Sequence, residues 1–333
     1  MKTVGFVTSP LTTGHATRGV GFYTKRLLTS LKSQASSHNI EIIEDNLSAD
    51  LVHYPFFDLF IHSLPLFKKK TIVTVHDVIP LEFPEHYPIG VKGRINLKLQ
   101  KLALNGVESV ITDSQASKKS IINYLNYPKA KIQVVYLAAD EKFKPITDNK
   151  LLNIVKDKFH LPDKYVLYVG DINWNKNIPG LVRACKLAHL PLVIVGKNAA
   201  NIESLDLNHS ELRHLRGVDW ISVQRLGFVS DDDLVAVYNL ASVYCQPSFA
   251  EGFGLGVLEA LACETPVACS SAHSLPEVGG EAVTYFDPHN ISQMSQAILN
   301  AKQAEGILQV QKFSWEKTAQ ETIMIYADVL TKT

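Results

Sequence analysis

Residues 247–266 read PSFAEGFGLGVLEALACETP and follow the run SVYCQ at 242–246. SVYCQ has the content of a buried strand and GVLEALA that of a helix, so Gly252, Gly254 and Gly256 stand where a strand end turns into a helix. Residues without side chains leave the N–H groups of a helix start open, and the positive end of the helix dipole adds to them. Such a turn suits an anion of the diphosphate kind. Glu251 stands in the loop, and Glu259 lies eight residues on among Leu258, Ala260 and Leu261. A carboxylate in that setting is costly unless it has a partner, and paired hydroxyl donors such as those of a ribose would suit it.

Outward from this stretch, short β-rich runs alternate with helical spacing. TVGFV, ADLVHY, TIVTV, SVIT and IQVVY fill the first half, and YVLYV, PLVIV, SVQRLGF, SVYCQ, TPVAC and AVTYF the second. The alternation predicts an α/β protein with two parallel, helix-covered sheets. A length of 333 residues also exceeds what one core organises. The first domain is expected over 1–147, a linker holding one helix over 148–163, and the second domain over 164–314. Segment 315–333, apolar at Ala319, Ile323, Tyr326 and Val329, is expected as a closing helix free to pack back on the first domain.

Hydrophobic residues make up 46% of the chain and charged ones 20%, which excludes a disordered or fibrous class. Cys185, Cys245, Cys263 and Cys269 lack CxxC or zinc spacing and read as reduced core thiols. The opening MKTVGFVTSPLTTGH has too short an apolar run for a signal peptide, and no stretch is long enough to span a bilayer, so a cytoplasmic protein is expected. Net charge is zero, yet residues 1–147 carry 18 Lys and Arg against 12 Asp and Glu, and the rest 15 against 21. Lys68 to Lys70, the segment 92–101, and Lys118, Lys119, Lys129 and Lys131 fit solvated helix faces first, and also peripheral contact with an anionic membrane surface or acceptor.

Glu251-Gly252-Phe253-Gly254-Leu255, Leu258-Glu259-Ala260 and, further on, Leu275-Pro276-Glu277-Val278 together resemble the signature of the retaining nucleotide-sugar glycosyltransferases of family 4. The resemblance runs over essentially the whole chain and is nearest the mannosyltransferase branch. It implies the GT-B architecture, two Rossmann-like domains facing across a cleft. Lys176, in DINWNKN after YVLYVG, matches the lysine that pairs with the donor diphosphate. Where the family often has arginine, this chain has Asp171 and Asn175. Gly19 and Gly21 of RGVGFYTKRL match the loop that passes close to the donor phosphates and acceptor, and His76 of TVHDVIP the histidine placed against the donor sugar. Asp77 admits three roles: orienting the imidazole, binding the acceptor, or capping a turn. In LGFV, residues 226–229, Phe228 and Val229 match the segment whose backbone holds the nucleobase.

By the same resemblance the reaction needs no metal and no cofactor. The partners implied are a nucleotide-sugar donor, GDP-mannose or a UDP-sugar, and a glycan or lipid-linked acceptor, with no nucleic acid. Ser230-Asp231-Asp232-Asp233 has the look of a metal-binding DxD, but a serine N-cap and acids in a first helical turn account for it. Two other readings keep the fold: a catalytically silent nucleotide-sugar-binding protein, and a phosphorylase or nucleotide-sugar epimerase.

Overall fold

Runs such as TIVT at 71–74 and LVIV at 192–195 are apolar or β-branched at every position, so both faces of the strand seek cover, and a parallel sheet between helix layers supplies it. The structure, a computed structural model, describes residues 1–14, 19–66, 69–302 and 306–332. Arg18, the first residue of RGVGFYTKRL, and Lys68, of the basic run 68–70, lie outside the described residues. The chain divides into two units, Met1–Leu137 with Phe313–Thr333, and Ala138–Lys312.

The first unit holds β1 (Lys2–Phe6), β2 (Ile40–Glu44), β3 (Leu51–Tyr54), β4 (Thr71–Thr74), β5 (Ser109–Thr112) and β6 (Ile132–Val134). They form one parallel sheet in the order β2-β1-β3-β4-β5-β6. Its helices are α1 (Gly19–Gln34), α2 (Ile79–Glu82), α3 (Val91–Asn105) and α4 (Gln115–Leu125). The closing helix, Trp315–Thr331, starts at Ser314, whose Oγ accepts the Lys317 N–H at 3.1 Å. It lies against α1, with Leu27, Leu31, Ile323 and Tyr326 buried. Strand β2, IEIIE, was not among the expected strands. It is an edge strand, and only Ile40 is fully buried.

The second unit begins with α5 (Asn149–Phe159) and holds β7 (Val166–Val169), α6 (Ile178–Ala188), β8 (Leu192–Val195), α7 (Lys197–Ala200), β9 (Val223–Leu226) and α8 (Asp231–Leu240). It continues with β10 (Val243–Gln246), α9 (Leu255–Ala262), β11 (Val267–Ser270), α10 (Leu275–Gly279), β12 (Thr284–Phe286), α11 (Ile291–Asn300) and α12 (Gly306–Val310). The sheet is again parallel, in the order β12-β11-β10-β7-β8-β9.

The division between units falls at Leu137, earlier than the expected 147, because residues 142–146 are tied to α8. Lys142 pairs with Asp231, Asn239 Nδ2 donates to the Lys144 carbonyl at 3.0 Å, and the Ile146 N–H donates to Asn239 Oδ1 at 2.8 Å. The segment 148–163, expected as a linker holding one helix, has that helix as α5, which lies within this unit, capped by Asp148 and joined to α8 through Lys158 and Asp233 at 2.7 Å. Ser230 caps α8 by accepting the Asp233 N–H, so two of the three aspartates of the DxD-like run pair with lysines.

Candidate functional site

In open parallel α/β sheets, ligands meet the carboxyl ends of the strands where the strand order reverses direction. In the second unit that point lies between β7 and β10, since β8 and β9 extend to one side and β11 and β12 to the other. Lys176 follows β7 and Glu251 follows β10, and their side chains meet: Lys176 Nζ lies 2.8 Å from Glu251 Oε1 and 2.7 Å from Oε2.

The Glu251 carboxylate, 8% exposed, is held further by Ser248 Oγ at 2.6 Å and Gln246 Nε2 at 2.8 Å, both on Oε1. Oε1 thus takes three donors and Oε2 one, which leaves acceptor capacity on Oε2 alone. The loop itself is braced. Ser274 Oγ reaches the carbonyls of Glu251 and Phe253, and Asn175 Nδ2 donates to the Ala250 carbonyl at 2.9 Å. Gly254 caps α9 with φ +116°, and a Cβ there would lie 2.8 Å from Leu275 Cδ2. Ser274 and Leu275 stand at the start of the LPEV motif, so that motif supports the Glu251 loop through packing and hydrogen bonds.

Glu259, on the second turn of α9, accepts a hydrogen bond from Tyr238 Oη at 2.8 Å. Burial pushes its carboxyl up to about 7, against the opposing pull of the Tyr238 hydrogen bond and of Lys142. Phe228 is 84% exposed just past β9, while Val229 is buried. The two positions where arginine was expected have local partners: Asp171 Oδ1 accepts from Asn198 Nδ2 at 2.7 Å, and Asn175 braces the Glu251 loop.

In the first unit the order reverses between β1 and β3. Gly19 opens α1 beyond β1; it is exposed, and a Cβ built there meets nothing within 4 Å among the described residues. Gly21 is buried within α1. His76 lies just past β4 and Asp113 just past β5. The register pairs Thr74 with Ile111, so two more residues bring His76 level with Asp113. His76 Nδ1 is 2.6 Å from Asp113 Oδ2, and Nε2 is 3.2 Å from the Pro55 carbonyl. Burial disfavours charge on this ring, yet the carboxylate and hydrogen bond of Asp113, then Asp77 and the Pro55 carbonyl, raise its pKa above the ordinary value. When protonated, the ring donates both N–H groups to these partners. Asp77 Oδ1 accepts the Ile79 N–H at 3.0 Å, which is the turn-capping role among the three it admitted.

A cavity of about 220 Å³ opens beside His76 and Asp77, walled by Phe56, Phe57, Phe60 and Pro80. Behind it runs a buried polar chain: Tyr23 Oη to Thr74 Oγ1 at 2.9 Å, Thr74 Oγ1 to His53 Nε2 at 2.9 Å, and His53 Nδ1 to Tyr326 Oη at 2.5 Å. Burial, and then the neighbouring His76, push His53 down to about 3, so it stays neutral.

Sequence reasoning missed Gln246, Ser248, Tyr238 and Asp113. Gln246 and Ser248 had a faint signal, polar residues at the end of an otherwise apolar strand. Tyr238 and Asp113 had none, because each partner comes from a different element. Among the described residues no group of three or more His, Cys, Asp or Glu side chains could hold a metal ion.

The family model described as Glycosyl transferases group 1 matches residues 152–312, and that of Glycosyltransferase Family 4 matches residues 11–143. O-antigen chain mannosyltransferase B of Escherichia coli is 33% identical over 79% of this chain and 71% of its own length. Serotype-specific mannosyltransferase WbdA of Escherichia coli is 30% identical over 86% of this chain, which spans only 38% of that longer protein. Among solved structures, sucrose-phosphate synthase from Thermosynechococcus elongatus superposes with a TM-score of 0.73 at 18% identity, covering 100% of both chains. Anabaena HepE in complex with UDP-glucose gives 0.69 at 15% identity over 98% of this chain and 100% of its own. At such identities the likeness is one of fold.

Proposed function

The chain belongs to the glycosyltransferases of the GT-B fold, and from that premise we propose that it is a retaining, metal-independent hexosyltransferase moving mannose from GDP-mannose to a glycan or lipid-linked acceptor. The observation that carries the reading is the Lys176–Glu251 pair at the strand-order reversal of the second sheet, beside the start of α9. Mannose is favoured by the names of the curated relatives, mannosyltransferases at 33% and 30% identity.

In this reading the donor diphosphate sits at the first turn of α9, whose N–H groups and Lys176 take up charge as the leaving group departs. Glu259 accepts the ribose hydroxyls. Glu251 aims the Lys176 ammonium and offers Oε2 to the sugar. His76 is assigned to a donor-sugar hydroxyl through Nε2–H, whose bond to Pro55 is the longer of its two. The bond from the anomeric carbon to the diphosphate oxygen breaks, a bond to the acceptor oxygen forms on the same face, and the acceptor proton passes to the departing phosphate. Holding both reactants in near-attack geometry supplies the rest of the rate gain.

Release of nucleotide from a panel of GDP- and UDP-sugars in excess chelator, with Lys176→Ala and Glu251→Ala beside the native chain, tests the assignment. Release from GDP-mannose alone, lost in both variants, is the expected result. Release from a UDP-sugar instead moves the donor, and binding without release under every acceptor tried makes the chain a silent binding protein.

A further inference from the structure

Four fully buried polar side chains of the first unit have no part in the reaction as written above: Tyr326 of the closing helix, His53 of β3, Thr74 of β4 and Tyr23 of α1. Three hydrogen bonds join them in that order. The Tyr23 end of the chain meets His76. The two rings stand edge to face with centroids 4.7 Å apart at 87°, and Phe56 is stacked on His76 at 6.4 Å and 27°. Both separations are those of favourable ring pairs.

A neutral imidazole donates through one nitrogen and accepts through the other, so the O–H and N–H groups of the chain run in one direction. Run from Tyr23 to Tyr326, they spend the Tyr23 proton on Thr74 and leave the Tyr326 O–H spare, a hydroxyl whose partner is His53 alone among the described residues. Run from Tyr326 to Tyr23, they leave the Tyr23 O–H spare. Burial and then the Asp113 charge push that phenol far above its ordinary value, so it keeps its proton. Asp113 holds His76 through Oδ2, and its Oδ1 is buried without a hydrogen-bond partner among the described residues. The second direction turns a spare donor toward a spare acceptor, whereas the first strands both. We propose that Tyr23 is a positioning residue for His76: the chain from Tyr326 anchors its ring against the imidazole and turns its O–H toward the carboxylate of Asp113. The proposal rests on the assignment of His76 to the donor sugar. Tyr23 itself touches neither donor nor acceptor; it limits the tilt of the ring beside it.

Nitrogen NMR of the native full chain reads the direction of the chain without any variant. Burial keeps the His53 ring neutral near pH 7, so it should carry one proton, on Nε2; a proton on Nδ1 overturns the proposal. Three variants read the anchoring. Tyr23→Phe keeps the ring and loses the O–H, Thr74→Val cuts the chain at nearly equal size, and Thr74→Ser leaves it whole. Tyr23→Phe and Thr74→Val should each lower kcat about tenfold with KM little changed, the effect of a small misplacement at the reacting centre, while Thr74→Ser stays near native. Where His76→Gln itself lowers kcat, native kcat in Tyr23→Phe overturns the proposal, and so do equal losses in Thr74→Val and Thr74→Ser. In the Asp113→Asn background, Tyr23→Phe should lower the urea midpoint less than it does in the native chain, and equal drops likewise overturn it. If His76→Gln keeps native kcat, the assignment of His76 to the donor fails instead. The His53 proton and the coupling of Tyr23 to Asp113 need no donor, so they decide the role of Tyr23 in either case.

Discussion

Lys176 and Glu251 are 75 residues apart, yet the ammonium lies within 2.8 Å of both carboxylate oxygens. The carboxylate is nearly buried and also holds Ser248 and Gln246. On the proposed reading, Glu251 acts on the reaction in large part by aiming Lys176. Lys176→Met should lower kcat about a hundredfold, the scale for removing one preorganised charge donor. Glu251→Gln should do nearly the same, because its amide presents a donor to the ammonium. In a double-mutant cycle the second change should then cost little. Additive losses in kcat would refute the coupling.

Glu259 links stability to pH through a raised carboxyl. Its value of about 7 stands above the ordinary 4.5, so the folded chain holds a proton there that the unfolded chain has released. Stability from this group is present below about pH 4.5 and is lost as pH rises to 7. Glu259→Gln removes that loss and should be more stable than the native chain at pH 8, by about 3 kcal/mol at most, with little difference at pH 4.5. Donor binding should behave oppositely. It should strengthen in the native chain as pH rises through 7, and be weak and pH-independent in the variant. Thermal melts at both pH values and donor titrations across the range read the two effects separately.

His76 has the same sign. Its pKa is raised mainly by Asp113, so the stability it contributes is complete below about pH 6.5 and fades as pH climbs through the folded-state value. Asp113→Asn should bring the His76 titration down, destabilise the fold more at pH 6 than at pH 9, and lower kcat more than it raises KM. An NMR titration of the ring follows the first effect directly; an unshifted His76 would mean that Asp113 does not set its charge.

How far the sequence reveals such a site depends on whether its parts are local. The Glu251 loop was legible, since its glycines, both glutamates and the helix that follows are contiguous. Most strands were legible too, because buried parallel strands are apolar at successive positions, whereas β2, IEIIE, is an edge strand with glutamates at two of its five positions. Asp113 was not legible: it meets His76 only through the register of β4 on β5, which no local pattern encodes. Tyr238, the partner of Glu259, stands on the preceding helix, α8. The first unit ends at Leu137 rather than near 147 because side chains of α8 capture residues 142–146, a tertiary contact that the charged, proline-bounded segment there does not encode locally.

Two glycines of the expected donor loops separate what the fold requires from what a ligand requires. Gly254 has φ +116° and Leu275 against it, so Gly254→Ala strains the backbone and the packing together and should cost about 2 kcal/mol of stability as well as activity. At Gly19 the backbone is not in the left-handed region, and among the described residues an added methyl would meet nothing within 4 Å. The described residues give no reason for a glycine at the start of α1, where alanine is the better helix former. If the donor phosphates or the acceptor pass close to this backbone, the methyl occupies their space. Gly19→Ala should therefore melt at or slightly above the native temperature while kcat/KM falls tenfold or more, about 1.4 kcal/mol of lost transition-state binding. Full activity in Gly19→Ala would remove the α1 loop from the site and leave the second unit to bind the donor without it.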